Sequence, residues 1–295
     1  MLNKLKVFVL RLLYRFISAR SWQKEGLDLP HSVLHMTTDQ GSLALRMYAG
    51  GGGANKPLII FLHGGGWVIG DLDTHHPFCQ SLCLKTGCTI VAVDYRLAPE
   101  HPCPAAHDDA LAATRWIMER MDQLGPNNGT LILAGDSAGA NLATCTCLTL
   151  DPAERKLLAG EIVIYPVTDH YSNTFQDYPS YRDKAKGYSL TSSMMRWFWD
   201  IYLGNATPNG EPPPMSTPIH ARNLSDLPAT LLITAENDPL RDEGKAYAEQ
   251  LSAAGVRVQY SHYDNEEHGF AATAGVSPAF NQLMDEVSAW VNDLA

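Results

Sequence analysis

The chain has 295 residues, 45% of them apolar and 18% charged, and a formal net charge of −10. This composition excludes a disordered polypeptide, and the lack of a long basic run or a basic stripe interleaved with aromatics excludes a nucleic-acid binder. The length fits one large α/β domain or two small ones.

Charge is unevenly spread. Lys4, Lys6, Arg11, Arg15 and Arg20 fall within the first twenty residues, which hold no acid. At 100° per residue, Lys4, Arg11, Arg15 and Ser18 share one narrow face. Leu2, Leu5, Val9, Leu12, Leu13, Phe16 and Ile17 share the opposite one, so residues 1–30 are expected to begin with an amphipathic helix. Three roles fit it: a lid over a cleft, a membrane-surface or partner-binding helix, or a targeting segment. A secretory signal fits poorly, because charges interrupt the apolar run and no small-residue cleavage site follows. No stretch approaches 18 uncharged apolar residues, so no membrane span is expected.

Val33 to Thr37 and Leu43 to Tyr48 alternate around Asp39-Gln40-Gly41 and read as an antiparallel hairpin at a sheet edge. A glycine-rich connection follows, without phosphate-loop spacing. Apolar strands are then predicted at Leu58–Leu62, Thr89–Val93, Leu131–Ala134, Ile162–Tyr165, Thr230–Thr234 and Val256–Tyr260. Helices are predicted at Ala105–Met121, Arg241–Ala254 and Pro278–Leu294. Buried strands alternating with helices imply a mostly parallel sheet covered on both faces. Residues 170–218 interrupt this rhythm with Tyr171, Tyr178, Tyr181, Tyr188, Trp197, Phe198, Trp199 and Tyr202. Thr191–Tyr202 reads as a helix and Glu211-Pro212-Pro213-Pro214 as an extended return. The segment is expected to pack on the core and to line a pocket as a lid, with the core formed by 31–169 and 219–295.

The six cysteines show no zinc-ligand spacing, and without an export signal they are expected to be reduced thiols of a cytoplasmic chain. Cys145 and Cys147 belong to a predicted helix, where core packing is the default. No metal or cofactor is expected.

Gly135-Asp136-Ser137-Ala138-Gly139 lies between the strand ending at Ala134 and an Ala/Thr/Leu-rich segment reaching Leu150. Strand, tight turn and helix around Gly-x-Ser-x-Gly describe a nucleophile elbow, with the serine hydroxyl presented at the apex. A serine needs a base, a group that orients the base, and donors for an oxyanion. His268, in a polar loop before the last helix, is the expected base; His262 is nearer the preceding strand but falls in its alternating pattern. Asp238 follows Thr230–Thr234 and is the expected orienting acid. Asp242 falls in a helix first turn, where the helix dipole accounts for a carboxylate. Asp136 is expected to serve structure. His63-Gly64-Gly65-Gly66-Trp67 follows an early strand, and the amides of Gly65, Gly66 and Ala138 are the expected oxyanion donors. Trp67, Tyr188 and Trp197 are the expected pocket walls.

These stretches, together with Asp94-Tyr95-Arg96-Leu97-Ala98-Pro99-Glu100-His101-Pro102, Asp238-Pro239-Leu240-Arg241-Asp242-Glu243-Gly244 and Glu267-His268-Gly269-Phe270, resemble the hormone-sensitive-lipase-like branch of the α/β-hydrolases. Gly70-Asp71-Leu72-Asp73-Thr74-His75 resembles its acetyl-esterase subset. The resemblance runs from about residue 35 to the C-terminus. It implies an α/β-hydrolase fold with about eight strands, and a cap built from the N-terminal helix and the insertion. It implies hydrolysis of short- to medium-chain carboxylic esters, a small-molecule ester as partner, and a buried turn from Tyr95 to Pro102 in which Arg96 and Glu100 could pair. A lipase or arylformamidase using the same triad, and a non-catalytic receptor on the same fold, are the alternatives. Peripheral membrane contact by residues 1–20 and a homodimer stay open.

Overall fold

The computed structural model describes residues 2–22, 29–184, 186–204, 212–272 and 277–294. Eight strands form one sheet in the order β1-β2-β4-β3-β5-β6-β7-β8. They are β1 (His31–Thr38), β2 (Gly41–Tyr48), β3 (Leu58–Leu62), β4 (Ile90–Val93), β5 (Leu131–Asp136), β6 (Leu158–Ile164), β7 (Ala229–Asn237) and β8 (Val258–Glu267). The β1–β2 hairpin pairs antiparallel within itself and with β4; every other pairing is parallel. The ten helices of the described residues are α1 (Leu2–Trp22), α2 (His76–Thr86), α3 (Ala105–Met118), α4 (Ala138–Thr149), α5 (Pro152–Arg155), α6 (Tyr171–Asp177), α7 (Ser180–Asp183), α8 (Ser192–Leu203), α9 (Arg241–Ala253) and α10 (Pro278–Leu294).

The central strands are apolar throughout because both faces are covered. Along β3, Leu58, Ile60 and Leu62 join the core beneath α3, α4, α8 and α9. Ile59 and Phe61 point the other way, into the core beneath α2 and α10. That period of two, with no polar residue on either side, is the signature of a parallel sheet sandwiched by helices. β8, at the sheet edge, alternates and is mostly exposed.

The predicted strands all form, with ends shifted by a few residues. β8 is the largest difference: it starts at Val258 and runs to Glu267, delivering His268 directly. The pattern gave no helix over His76–Thr86, because His, Pro, Gln, Ser and three apolar-to-thiol positions blur the stripe. The segment nonetheless closes α2 with Gly87 in the left-handed conformation. The extended return at Glu211 to Pro214 lies partly outside the described residues, and its end forms a short 3₁₀ turn over Pro214–Ser216.

Two ion pairs differ from expectation. Arg96 does not meet Glu100. Its guanidinium and backbone N–H donate to the buried Asp109 carboxylate on α3 at 2.8–3.0 Å. Glu100 instead receives Arg11 from α1 at 2.8 Å. Proximity in sequence misled here; the pairing is set by which elements pack together.

The N-terminal helix lies on the body by a mixed stripe of polar and apolar residues. Val7 and Ser18 are buried, and Arg11 and Tyr14 fall between them at helical spacing. Arg11 donates to the Val68 and Ala98 carbonyls at 2.8 and 2.9 Å, Arg15 pairs with Asp71, and the Ser18 hydroxyl donates to Thr74 O at 2.6 Å. The opposite stripe points outward: Leu5, Phe8, Val9, Leu12, Leu13, Phe16 and Ile17 are 46–63% exposed.

One buried charge site gives a stability signature. Glu161 on β6 is fully buried against α4; one carboxylate oxygen accepts from the Thr144 hydroxyl and the other has no partner among the described residues. Burial, only partly offset by that hydrogen bond, pushes its pKa up to about 7. The folded state therefore holds a proton that the unfolded chain has already released, and stability falls as pH rises from the ordinary glutamate range through 7. The loss is about 3 kcal/mol in full. In urea titrations at pH 5 and pH 8, Glu161→Gln should remove this decline, so that its stability relative to the parent chain improves by about that amount at pH 8. An equal pH slope in both proteins would contradict the assignment.

Candidate active site

Ser137 sits between β5 and α4 with φ 54° and ψ −118°, a conformation that an L-residue rarely adopts. Its N–H donates to Ile164 O at 2.8 Å, which ties the strained residue to the end of β6. The flanking glycines are there for space. A Cβ on Gly139 would stand 2.0 Å from Leu62 O, and one on Gly135 would stand 2.4 Å from the Gly139 carbonyl carbon. Any side chain at either position would push α4 away from β3 and β5.

The three side chains that the sequence scatters over 131 positions meet here. His268 Nε2 lies 2.9 Å from Ser137 Oγ, and His268 Nδ1 lies 2.7 Å from Asp238 Oδ2. Asp238 is fully buried, and its other oxygen accepts from the Leu240 N–H at 2.9 Å. With Nδ1–H held by the carboxylate, Nε2 is the lone-pair nitrogen that faces the serine hydroxyl. Tyr165 packs its ring against the imidazole with centroids 4.5 Å apart. His262 is elsewhere: it hydrogen-bonds Thr234 across β7 and β8.

The loop after β3 brings Gly65 and Gly66 to the same cavity, with φ of 118° and 59°. Ala138 opens α4, so its N–H has no intrahelical acceptor. The Ala138 N–H stands at the positive end of the buried α4, where developing negative charge is favoured. Asp136 holds the loop: it accepts the Gly64 N–H at 2.7 Å and faces His75 Nε2 at 3.3 Å. Burial raises the Asp136 pKa, but His75 and the Gly64 N–H outweigh it and leave the carboxyl below its ordinary range. Behind the loop, the Tyr95 hydroxyl donates to His63 O at 2.7 Å and its ring stacks on His63. Burial drives the His63 pKa down to about 4, so the ring is neutral there.

The inserted segment is locked to this site by the stretch after Asp238. Glu243 is buried and accepts from Thr168 N at 2.7 Å and from the Tyr181 hydroxyl at 2.9 Å. Asp242, beyond any dipole role, accepts from Ser180 N at 2.8 Å. Ser189 reaches the other side, with its N–H to Glu267 and its hydroxyl to His268 O, each at 2.8 Å.

A cavity of about 300 Å³ opens over Ser137 and His268. Leu190, Met194, Met195 and Phe198 wall one side, and Leu10, Tyr14 and Ile17 of α1 wall the other, with Ile69 and Val167 completing the apolar lining. Trp67, Tyr188 and Trp197 do not line it. Trp67 is fully buried, stacked on Tyr202 at 4.4 Å and against Trp199. Tyr188 lies beneath the Lys184 ammonium, and Trp197 packs on Phe198. Aromatic type suggested a wall, but in α8 the face turned to the cavity carries methionines and Phe198, while the largest rings fill the core. A lid role for the N-terminal helix was among the expectations, but which of its residues face the cavity was not legible, since Tyr14 lies next to the polar stripe. Among the described residues, no group of three or more His, Cys, Asp or Glu side chains is arranged to hold a metal ion.

Known proteins resemble this chain over most of its length. Residues 59–272 match a family model described as alpha/beta hydrolase fold. Esterase LipI of Mycobacterium tuberculosis is 40% identical over 228 residues, covering 77% of this chain and 69% of that protein. The ethyl acetate hydrolase of Pseudomonas putida is 37% identical over 249 residues, covering 81% of this chain and 75% of that protein. Among solved structures, the thermostable carboxylesterase EstE1 from a metagenomic library superposes with a TM-score of 0.90 at 32% identity, covering 98% of this chain and 97% of its own. The chain belongs to the α/β-hydrolase family, in its hormone-sensitive-lipase-like branch.

Proposed function

We propose that Ser137 is the nucleophile, His268 the general base and Asp238 its orienting acid in this carboxylic ester hydrolase. His268 takes the serine proton as Oγ attacks the ester carbonyl. The amides of Gly65, Gly66 and Ala138 receive the oxyanion, and His268 then protonates the leaving alcohol. Water, activated by the same imidazole, cleaves the acyl-enzyme and restores Ser137. Each oxyanion donor contributes on the order of 3 kcal/mol to transition-state stabilisation. The observation that carries the reading is the unbroken chain from Asp238 through His268 to Ser137 at 2.7 and 2.9 Å beside a mainly apolar cavity.

The substrate class follows from the cavity. About 300 Å³ of mostly apolar space suits an acyl chain of about four to eight carbons with a compact alcohol. α1 and residues 170–218 act together as a two-part cap, because each supplies one wall. Six buried free thiols support a reducing, cytoplasmic setting.

Ser137→Ala should fold like the parent chain and lose p-nitrophenyl butyrate hydrolysis by about 10⁴-fold or more. Asp238→Asn should lower kcat by about the same order, with KM little changed, because the imidazole is then held in the wrong tautomer. Turnover near the parental rate in Ser137→Ala would overturn the mechanism. Across p-nitrophenyl esters, kcat/KM should peak between about four and eight acyl carbons. A steady rise toward long emulsified chains would favour a lipase instead, and binding of esters without turnover would favour a receptor.

A further inference from the structure

The geometry points to a lipid-docking surface: the outward apolar face of α1, from Leu5 to Ile17, seats the protein on an anionic membrane. Helices on soluble proteins normally turn this face inward. Here the inward stripe is mixed, with Val7, Leu10 and Tyr14 beside the hydrogen-bonded Arg11 and Ser18, and a wider apolar stripe is left outside with Leu12 51% and Phe16 63% exposed. One or two such residues would be ordinary; seven on a single helix form a contiguous patch of the kind that marks an interaction site.

Charge selects the occupant. Lys4, Lys6 and Arg20 are exposed at the two ends of the helix, and residues 1–22 contain no acid. An apolar helical face with cations at its borders is what binds the boundary between acyl chains and anionic headgroups. A second copy of this chain fits less well. Two such helices packed antiparallel across a two-fold axis would bring Lys4 and Lys6 against the partner's Arg20, like charge on like charge. The acidic remainder of the chain does not forbid docking, because at physiological ionic strength its repulsion is screened beyond about 8 Å.

The patch also adjoins the cavity. Ile17 belongs both to the exposed face and to the cavity lining, and Met194, 37% exposed, stands on the opposite wall of the same opening. A protein seated by α1 therefore holds its cavity mouth close to the lipid surface.

Flotation of the full chain with vesicles tests this. It should float with phosphatidylcholine:phosphatidylglycerol at 3:1 in 50 mM NaCl, bind pure phosphatidylcholine markedly less, and lose most binding in 500 mM NaCl. Lys4→Gln with Lys6→Gln should weaken binding to the mixture by roughly five-fold per charge removed. Leu12→Gln with Phe16→Gln should weaken it at least about ten-fold while leaving the net charge, the thermal melt and p-nitrophenyl butyrate hydrolysis unchanged. These two residues touch neither the catalytic groups nor the cavity. Failure of the parent chain to float, equal binding to both lipids, or undiminished binding of the Leu12/Phe16 variant would each overturn the proposal. So would a dimer seen by sedimentation velocity that the Leu12/Phe16 substitutions dissolve while vesicles bind nothing. Vesicle binding is read without turnover, so it stands or falls separately from the esterase mechanism.

Discussion

Strands β3 and β5 run side by side and parallel, with Leu62 opposite Gly135, and the site depends on that pairing. Parallel neighbours end at the same edge of the sheet. The glycine loop after β3 and the elbow after β5 therefore emerge together, and β7 and β8 deliver Asp238 and His268 to that same edge. The pairing demands close approach: α4 starts against Leu62 O, where only Gly139 fits. The strained Ser137 backbone is tolerated because the surrounding strands and the Ile164 carbonyl hold it on every side. A strained residue persists only where its surroundings over-determine it.

Much of this was readable from residue order. Unbroken apolar runs gave the parallel strands, and Gly-x-Ser-x-Gly at a strand-to-helix change located the elbow. Position after a late strand singled out Asp238 and His268, since the loops at the carboxyl ends of β7 and β8 open on the same sheet edge as Ser137. Other features were illegible for physical reasons. The polar, proline-containing stretch at His76–Thr86 is held in its helix by packing on α10, not by its own pattern. Arg96 chose Asp109 over Glu100 because α3 packs beneath it while α1 packs over Glu100. Trp67, Tyr188 and Trp197 were picked for ring size, yet the position of an element relative to the cavity, not its residue type, decides what lines it.

Buried polar groups do the joining that apolar packing leaves undone. Asp136 ties the elbow to the glycine loop through Gly64, with His75 beside it. Glu243 ties the inserted segment to the stretch that carries Asp238, satisfying the Thr168 N–H and the Tyr181 hydroxyl. Both carboxyl groups are costly to bury, and both are matched by donors at hydrogen-bond distance. They give directional constraints where a methylene contact would permit sliding. An inserted segment that slid by an ångström would carry Ser189 off the His268 backbone carbonyl and loosen the loop that bears the imidazole.

The N-terminal helix shows the converse arrangement. Its hold on the body comes from Arg11, Arg15 and Ser18, of which the Arg15–Asp71 pair is solvent-exposed on the arginine side and so contributes little. Arg11 contributes more, because its guanidinium meets two backbone carbonyls and the Glu100 carboxylate at once. Among the described side chains, apolar attachment comes from Val7 and the partly covered Leu10 and Tyr14. The helix is therefore oriented by polar contacts and weakly retained by burial. Since Leu10, Tyr14 and Ile17 form one wall of the cavity, the seating of α1 sets the width of that cavity. A surface that covers the outward face adds the burial that the body does not supply, and it steadies the same wall from outside.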